Sequence, residues 1–174
     1  MDYGCGYGRT CAELHAHGYG HVTGLDISEK MIAKGQSLFP ELDLRVQRSD
    51  MLPFLPETFD ACLMFAVLTC IVTDSGQERV VAEVSRVLRR GGLLYISDYP
   101  LQEDERNRKR YQAFSDTYGT FGVFQLSDGG VVRHHDMVTI HHLLAGLELV
   151  DEDFFEVATM NGNPARVFQI LARK

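Results

Sequence analysis

Asp2-Tyr3-Gly4-Cys5-Gly6-Tyr7-Gly8-Arg9 opens the chain, and how this stretch is read decides the fold. Glycine at alternate positions lets backbone N–H groups approach a ligand with no Cβ in the way. A short helix should follow, ending over Leu14 to Gly18, and its N-terminus would add the positive end of a dipole. Such a turn can equally be tight packing with no ligand, and it is the spacing beyond it that favours a site. Asp26 lies 18 residues after Gly8 and ends the apolar, β-branched stretch His21-Val22-Thr23-Gly24-Leu25-Asp26-Ile27. A strand-end acid at that place can accept both hydroxyls of a ribose. The glycines read G-x-G-x-G, and Arg9 stands where G-x-G-x-x-G needs its last glycine. The dinucleotide fingerprint is therefore not matched.

Further along, Ser28 predicts an N-cap for a helix that includes Met31, reaches about Phe39 and stops before Pro40. Leu42 to Val46 reads as a strand, and Asp50-Met51-Leu52-Pro53-Phe54 as a loop. Phe59 to Phe65 is a near-continuous apolar run, the pattern of a strand covered on both faces. Val80, Val81, Val84, Val87 and Leu88 have helical spacing within Gln77 to Arg90, and Gly91-Gly92 lead into a strand ending at Asp98. Repeated strand–helix–strand units with short turns predict a parallel α/β sheet. Between Tyr99 and His135 the rhythm breaks into a polar helix, Glu103 to Tyr118, and a hairpin of Thr120 to Leu126 with Val131 to His134. Asp136 should cap a helix from Met137 to Gly146. Strands from Leu147 to Thr159 and from Ala165 to Ala172 flank the tight turn Asn161-Gly162-Asn163-Pro164, which requires antiparallel neighbours. The expected fold is a Rossmann-like three-layer α/β sandwich, its sheet mostly parallel with one antiparallel edge strand.

Composition narrows the function classes. Seventeen Lys and Arg against 24 Asp and Glu give −7, which argues against a general nucleic-acid binder. The longest apolar run, Ala61 to Leu68, is too short to span a bilayer, and no signal-peptide pattern opens the chain, so no membrane partner is expected. Cys5, Cys11, Cys62 and Cys70 form no CxxC pair, so reduced thiols and a cytoplasmic setting are the plain reading.

Four motifs in order over roughly residues 1–100 resemble those of the class I S-adenosylmethionine-dependent methyltransferases, near their small-molecule branch. Residues 2–9 resemble the family's first motif, and Thr23-Gly24-Leu25-Asp26-Ile27-Ser28 with Met31 its ribose-binding motif. Ser49-Asp50-Met51-Leu52-Pro53-Phe54 followed by Phe59-Asp60 is similar to its adenine-binding loop and fourth strand. Val87 to Ile96 resembles its passage into the fifth strand. The resemblance implies S-adenosyl-L-methionine as cofactor and S-adenosyl-L-homocysteine as product. It implies Gly4, Cys5 and Gly6 beneath the methionine part, Asp2 (or a water it holds) at the ammonium and Arg9 at the carboxylate. Asp26 would take the ribose, Ile27 and Met31 the adenine face, Asp50 the adenine amino group and the Met51 amide a ring nitrogen. Phe65 and Ala66 would line the path to the sulfonium. Ile27 and Met31 would serve equally well as core, whereas Asp26 and Asp50 have less reason to be structural. The chain would be one methyltransferase domain: a cofactor-binding half 1–98, a helix-plus-hairpin lid 99–135, and a C-terminal helix and strand pair 136–174.

Departures from the family pattern bear on the acceptor. Many relatives carry histidine where this chain has Thr69 and Cys70, and neither the Pro-Pro-aromatic run of amino-methylating nucleic-acid enzymes nor the two-glutamate signature of arginine methylators is present. A small-molecule acceptor is left, taken by a monomer or homodimer. The lid holds the candidate base or acceptor-orienting residue, His135, with His134, Tyr118 and Tyr99 as weaker alternatives; a polar His-His pair with no catalytic role reads as well. His134, His135, His141 and His142 lack a carboxylate or cysteine at ligand spacing, so no metal is expected. Arg106, Arg108, Lys109 and Arg110 follow Glu103, Asp104 and Glu105, and read as a solvated helix face before an anion site. The rivals are a non-catalytic module that binds the cofactor or its product, and a nicotinamide-dependent oxidoreductase.

One oddity remains. Only Met1, Asp2 and Tyr3 precede the first glycine, so the first strand, central in the resembling fold, is expected to be truncated. Its two neighbours would lose pairing partners, a gap that an upstream strand or another chain would have to fill.

Overall fold

The apolar runs between the turns pair as a seven-stranded sheet in the computed structural model, which describes residues 1–49, 51–159 and 162–174. The first half runs β1 Asp2–Tyr3, α1 Arg9–Ala16, β2 Thr23–Asp26, α2 Glu29–Leu38, β3 Asp43–Val46 and β4 Phe59–Phe65. A 3-10 turn, Leu68–Cys70, leads to α3 Asp74–Val87 and β5 Leu88–Asp98. Next come α4 Glu105–Tyr118, the small hairpin β6 Val123–Gln125 with β7 Val131–Arg133, α5 Met137–Leu143, β8 Glu148–Ala158 and β9 Pro164–Arg173.

Sheet order is β3-β2-β1-β4-β5-β9-β8. Strands β1 to β5 pair in parallel, β9 is antiparallel to β5, and β8 is antiparallel to β9. The reversed strand therefore sits one place in from the edge, and β8 at the edge runs with the rest. Composition explains the order within the hairpin. In β9, Val167, Phe168, Ile170 and Ala172 are buried, whereas β8 carries Asp151, Glu152, Asp153 and Glu156, charges that suit an unpaired edge. Of the turn joining them, Asn161 lies outside the described residues, and the Thr159 amide donates to the Asn163 carbonyl at 2.8 Å.

Period-two alternation gives the sheet two covered faces. Cys62 and Met64 of β4 are fully buried in a cluster with Val81, Val84 and Val87 of α3 and Ile140 of α5. A second cluster joins Cys5, Cys11 of α1, Ile32 of α2, Leu42 and Leu44. Helix α3 ends three residues before the expected Arg90. Leu88 continues the helical apolar spacing, but it pairs with Phe59 of β4, and Arg89 and Arg90 turn outward to Asp60 and Glu57. The same leucine satisfied both periods, and pairing in the sheet won.

Helix α2 is seated against the glycine turn at Gly35. A Cβ there would stand 2.6 Å from both the Tyr7 carbonyl oxygen and Leu44 Cδ1. Alanine normally stabilises a helix interior by about 1 kcal/mol over glycine. Here Gly35→Ala is expected to destabilise by about 1–2 kcal/mol, because backbone cannot yield as a side chain can. Urea denaturation of the variant checks the sign.

β1 lies at the point where the chain reverses direction across the sheet: β2 and β3 build out one way, β4 and β5 the other. Open α/β sheets bind ligands at the carboxyl ends of the strands flanking such a point. At the opposite end, β2 and β4 border a cavity of about 660 Å³ lined by Met1, Val22, Thr23, Phe59, Ala61 and Leu63. The Met1 ammonium donates to the Ala61 carbonyl at 2.8 Å, so the ladder on β4 continues to that residue.

Candidate functional site

Five loops leave the carboxyl ends of β1 to β5 side by side. After β1, Gly4, Gly6 and Gly8 have φ of 80, 56 and 85°. Gly4 has two reasons to be glycine: its left-handed backbone, and a Cβ position 2.6 Å from Val67 Cγ2 beyond β4. The Gly4 and Cys5 amides both donate to the Leu25 carbonyl, at 2.7 and 2.9 Å, which ties the turn to the end of β2.

Asp26 closes this arrangement. Its Oδ2 accepts from the Gly6 amide and its Oδ1 from the Ser28 amide, each at 2.8 Å. Each carboxylate oxygen has a second lone pair and can accept again. Ser28 then caps α2, its hydroxyl accepting from the Met31 amide at 3.3 Å. Around this carboxylate the large apolar side chains face outward: Ile27 is 80% exposed, Met31 40%, Met51 67% and Phe65 39%. Met31 reaches the turn, its Cε 4.0 Å from where a Cβ on Gly6 would stand.

The loop after β3 is held by residues that sequence reading passed over. Gln47 is buried, and its amide group donates to the carbonyls of Ser49 and Met51. Arg86 donates to the Leu52 and Phe54 carbonyls while paired with Glu83, which accepts from the Leu52 amide at 2.8 Å. Interior glutamine and an i,i+3 Arg–Glu pair carry no motif, so only the fold reveals them. The Met51 amide, expected to face a ring nitrogen, donates to the Ser49 hydroxyl at 3.2 Å. Asp50 lies outside the described residues.

At the end of β4, Phe65 packs on Tyr95 of β5 with ring centroids 5.4 Å apart. Ala66 follows with φ 52°, a left-handed conformation that costs about 1–2 kcal/mol for a residue with a Cβ. Strain of this kind collects at working sites. The Ala66 amide is anchored to the Ser97 carbonyl at 2.8 Å.

Two sequence candidates lie deeper than the crevice. Asp2 is buried and its Oδ2 takes the Cys11 thiol at 3.6 Å; burial pushes its carboxyl up to about 6. Arg9, by contrast, is exposed at the start of α1.

His135, expected to serve as base or acceptor guide, is fully buried, and among the described residues neither ring nitrogen has a hydrogen-bond partner. Its Nε2 stands 3.8 Å from Oδ1 of Asp98, itself buried and holding the Tyr99 and Thr69 amides at 2.8 and 3.1 Å. Burial drives both groups toward neutrality, His135 down to about 3 and Asp98 up to about 7. The reason for the placement is backbone pairing. The His135 amide donates to Tyr99 and its carbonyl accepts from Leu101, which stitches the lid to the end of β5 and turns the ring inward. A side chain so enclosed cannot touch an acceptor, and the expected contact by His135 is withdrawn. His134, one residue earlier, is half-buried and stacks on Tyr99 at 5.5 Å. Tyr118 packs along α4 against Phe114.

A model of the methyltransferase domain family matches residues 1–96. Among curated relatives, the chain is 29% identical over 108 residues to a ubiquinone/menaquinone biosynthesis C-methyltransferase of Roseobacter denitrificans, covering 59% of this chain and 42% of that protein. It is 28% identical over 135 residues to a phosphatidylethanolamine N-methyltransferase of Cereibacter sphaeroides, covering 71% and 64%. The crystal structure of a SAM-dependent methyltransferase from Methanosarcina mazei superposes with a TM-score of 0.93 at 27% identity, covering 99% of this chain and 90% of that one. The chain spans less than half the length, 42%, of the first two curated relatives it matches.

Proposed function

The chain belongs to the methyltransferase domain family of class I S-adenosylmethionine-dependent enzymes, and from that premise we propose that it methylates a small-molecule acceptor and releases S-adenosyl-L-homocysteine. The observation that carries this reading is the Asp26 carboxylate, fixed by two amides at the end of β2, with Ile27, Met31, Met51 and Phe65 exposed on the segments that leave the same end of the sheet. Apolar side chains gathered on one edge of a sheet are stabilised by a ligand that covers them. A nucleoside fits both features: hydroxyls for the carboxylate, a flat base for the apolar rim.

Bound there, the cofactor supplies a methyl group on a positively charged sulfur. The chain's own residues bind and align. Asp26 would accept from the ribose hydroxyls, Ile27 and Met31 would press on the base, and Asp50 would take its amino group; the Met51 amide would reach a ring nitrogen only by giving up its bond to the Ser49 hydroxyl. Gly4 and Gly6 keep Cβ atoms away from the methionine part, which would pass over the Gly4-Cys5-Gly6 backbone; Arg9 would pair with its carboxylate, and Asp2 would lie beneath its ammonium. Phe65 and Ala66 wall the approach to the methyl, and the segment 99–135 covers the acceptor and excludes water. Asp98 and His135 act from below, by holding the lid to β5.

Net charge of −7 and a modest apolar rim favour a small acceptor over nucleic acid. Four free thiols, three of them buried, favour the reducing cytoplasm. No helix among the described residues is long and apolar enough to cross a membrane. Titration calorimetry separates the rival chemistries: S-adenosyl-L-homocysteine is expected to bind and NADH to give no heat. The reverse result defeats the proposal. Turnover of labelled S-adenosyl-L-methionine with any acceptor separates an enzyme from a silent binding module.

A further inference from the structure

The lid presents a hydrogen-bond donor whose orientation is fixed by a relay of three residues. The Gln102 amide donates to the Tyr111 hydroxyl at 3.1 Å, and that hydroxyl lies 2.5 Å from Nδ1 of His134. A phenol oxygen that accepts from Gln102 still carries its own O–H, and Nδ1 of His134 is the acceptor within its reach. Burial keeps Tyr111 protonated, its hydroxyl pushed up to about 12. Burial, with Arg110 and Arg106 nearby, holds His134 neutral, down to about 4. Nδ1 is thus the acceptor, and the remaining proton sits on Nε2. Nε2 itself has no hydrogen bond among the described residues.

The ring has little freedom. It stacks on Tyr99 at 5.5 Å, meets Phe124 edge-on at 4.9 Å, and its backbone amide donates to the Gly122 carbonyl at 2.9 Å. Gly122 is confined in turn: φ is 94° and a Cβ would fall 2.4 Å from the His134 carbonyl oxygen. Gln102 is braced by its side chain, which donates to the Pro100 and Arg166 carbonyls and accepts from the Arg166 amide, each at 2.8 Å.

Sheet register places Tyr99, on which the imidazole stacks, at the same end of the sheet as the glycine turn. Tyr3 pairs with Met64, so Gly4 is level with Phe65, which pairs with Ser97. Tyr99, under the imidazole, is then two strands across from Gly4 and two residues higher, about 10 Å and about 7 Å by strand spacing and rise. That separation is comparable to the length of one small molecule.

On the methyl-transfer reading above, we propose that His134 orients the acceptor by donating its Nε2–H to an oxygen lone pair, so that the site selects acceptors bearing a hydroxyl, carbonyl or carboxylate oxygen. With Nε2 already protonated, His134 aligns the acceptor and does not take its proton. A shape-matched acceptor offering only N–H or S–H toward the ring leaves this donor unpaired and binds more weakly.

The full chain, loaded with S-adenosyl-L-homocysteine and isotope-labelled at its histidine rings, is titrated with benzoate and phenol against benzylammonium and phenylmethanethiol, a thiol that stays protonated at neutral pH. His134 is expected as the neutral Nε2–H tautomer near neutral pH, with its Nε2 signal moved to saturation by the oxygen compounds only. His134→Phe should weaken benzoate and phenol binding about 10-fold while S-adenosyl-L-homocysteine affinity holds. His134→Gln, which keeps an N–H, should recover part of the loss. In Tyr111→Phe the two tautomers should mix. An Nδ1–H or charged ring, a signal indifferent to the oxygen compounds, or equal response to both sets overturns the inference. Failure of S-adenosyl-L-homocysteine to bind at all overturns the methyl-transfer reading instead, which calorimetry reads before any acceptor is added.

Discussion

Asp26→Ala is expected to weaken S-adenosyl-L-homocysteine binding by about 10- to 100-fold, that is about 1.4–2.7 kcal/mol. Two losses combine. The ribose hydroxyls lose a charged acceptor, and the Gly6 and Ser28 amides lose the carboxylate that holds each at 2.8 Å. The second loss sets the glycine turn free before any ligand arrives, so the turn must be ordered on binding. Asp26→Asn keeps one oxygen but sets an amide donor against Gly6 or Ser28, so most of the deficit should persist. Isothermal titration with both variants measures it. Wild-type affinity in Asp26→Ala would show that the ribose is held elsewhere.

The second large effect is on stability against pH, and it arises from four buried groups that fold in the neutral form. Burial raises Asp2 to about 6 and Asp98 to about 7, and lowers His134 to about 4 and His135 to about 3. A raised carboxyl contributes stability that is lost as pH climbs from its unfolded toward its folded value. A lowered histidine contributes stability that is lost as pH falls toward its folded value. Between about pH 4 and 6 the folded chain keeps two protons on the aspartates, and the unfolded chain two on the histidines. The opposing slopes cancel, so these four groups together should contribute almost no slope there. Asp98→Asn removes one term while leaving an oxygen for the Tyr99 and Thr69 amides. Its stability should then rise by about 2 kcal/mol from pH 4 to 6. Urea denaturation at the two ends of that window gives the slope, and equal slopes in variant and wild type would show that Asp98 is ionised in the fold.

The cofactor half was legible because its devices are local. Glycines at 4, 6 and 8, an acid ending the next strand and Ser28 before a helix each act within a few residues, so spacing reported them. The lid and the C-terminal pair were legible as elements for the same reason: Asp136 accepts from the Val138 amide at 3.0 Å, as a cap read from sequence should. What long-range pairing decides was not legible. Leu88 fitted a helix and a strand equally, and Phe59 settled it. Nor could spacing show that Gly35 has no room for a side chain, since the Tyr7 carbonyl oxygen stands 2.6 Å from its Cβ position.

The histidines show the division most plainly. Sequence alone put two adjacent histidines at the exit of the hairpin, and an acid, Asp26, at the end of the strand that follows the glycine turn. It could not say which imidazole faces inward, because adjacent side chains on extended backbone point to opposite sides and the side is set by what pairs with the strand. Tertiary structure decided that. Pairing of His135 with Tyr99 and Leu101 buries its ring beside Asp98, and the same pairing turns His134 onto Tyr99 and the Tyr111 hydroxyl. Burial holds both rings neutral, and the Tyr111 hydroxyl on Nδ1 leaves the His134 proton on Nε2.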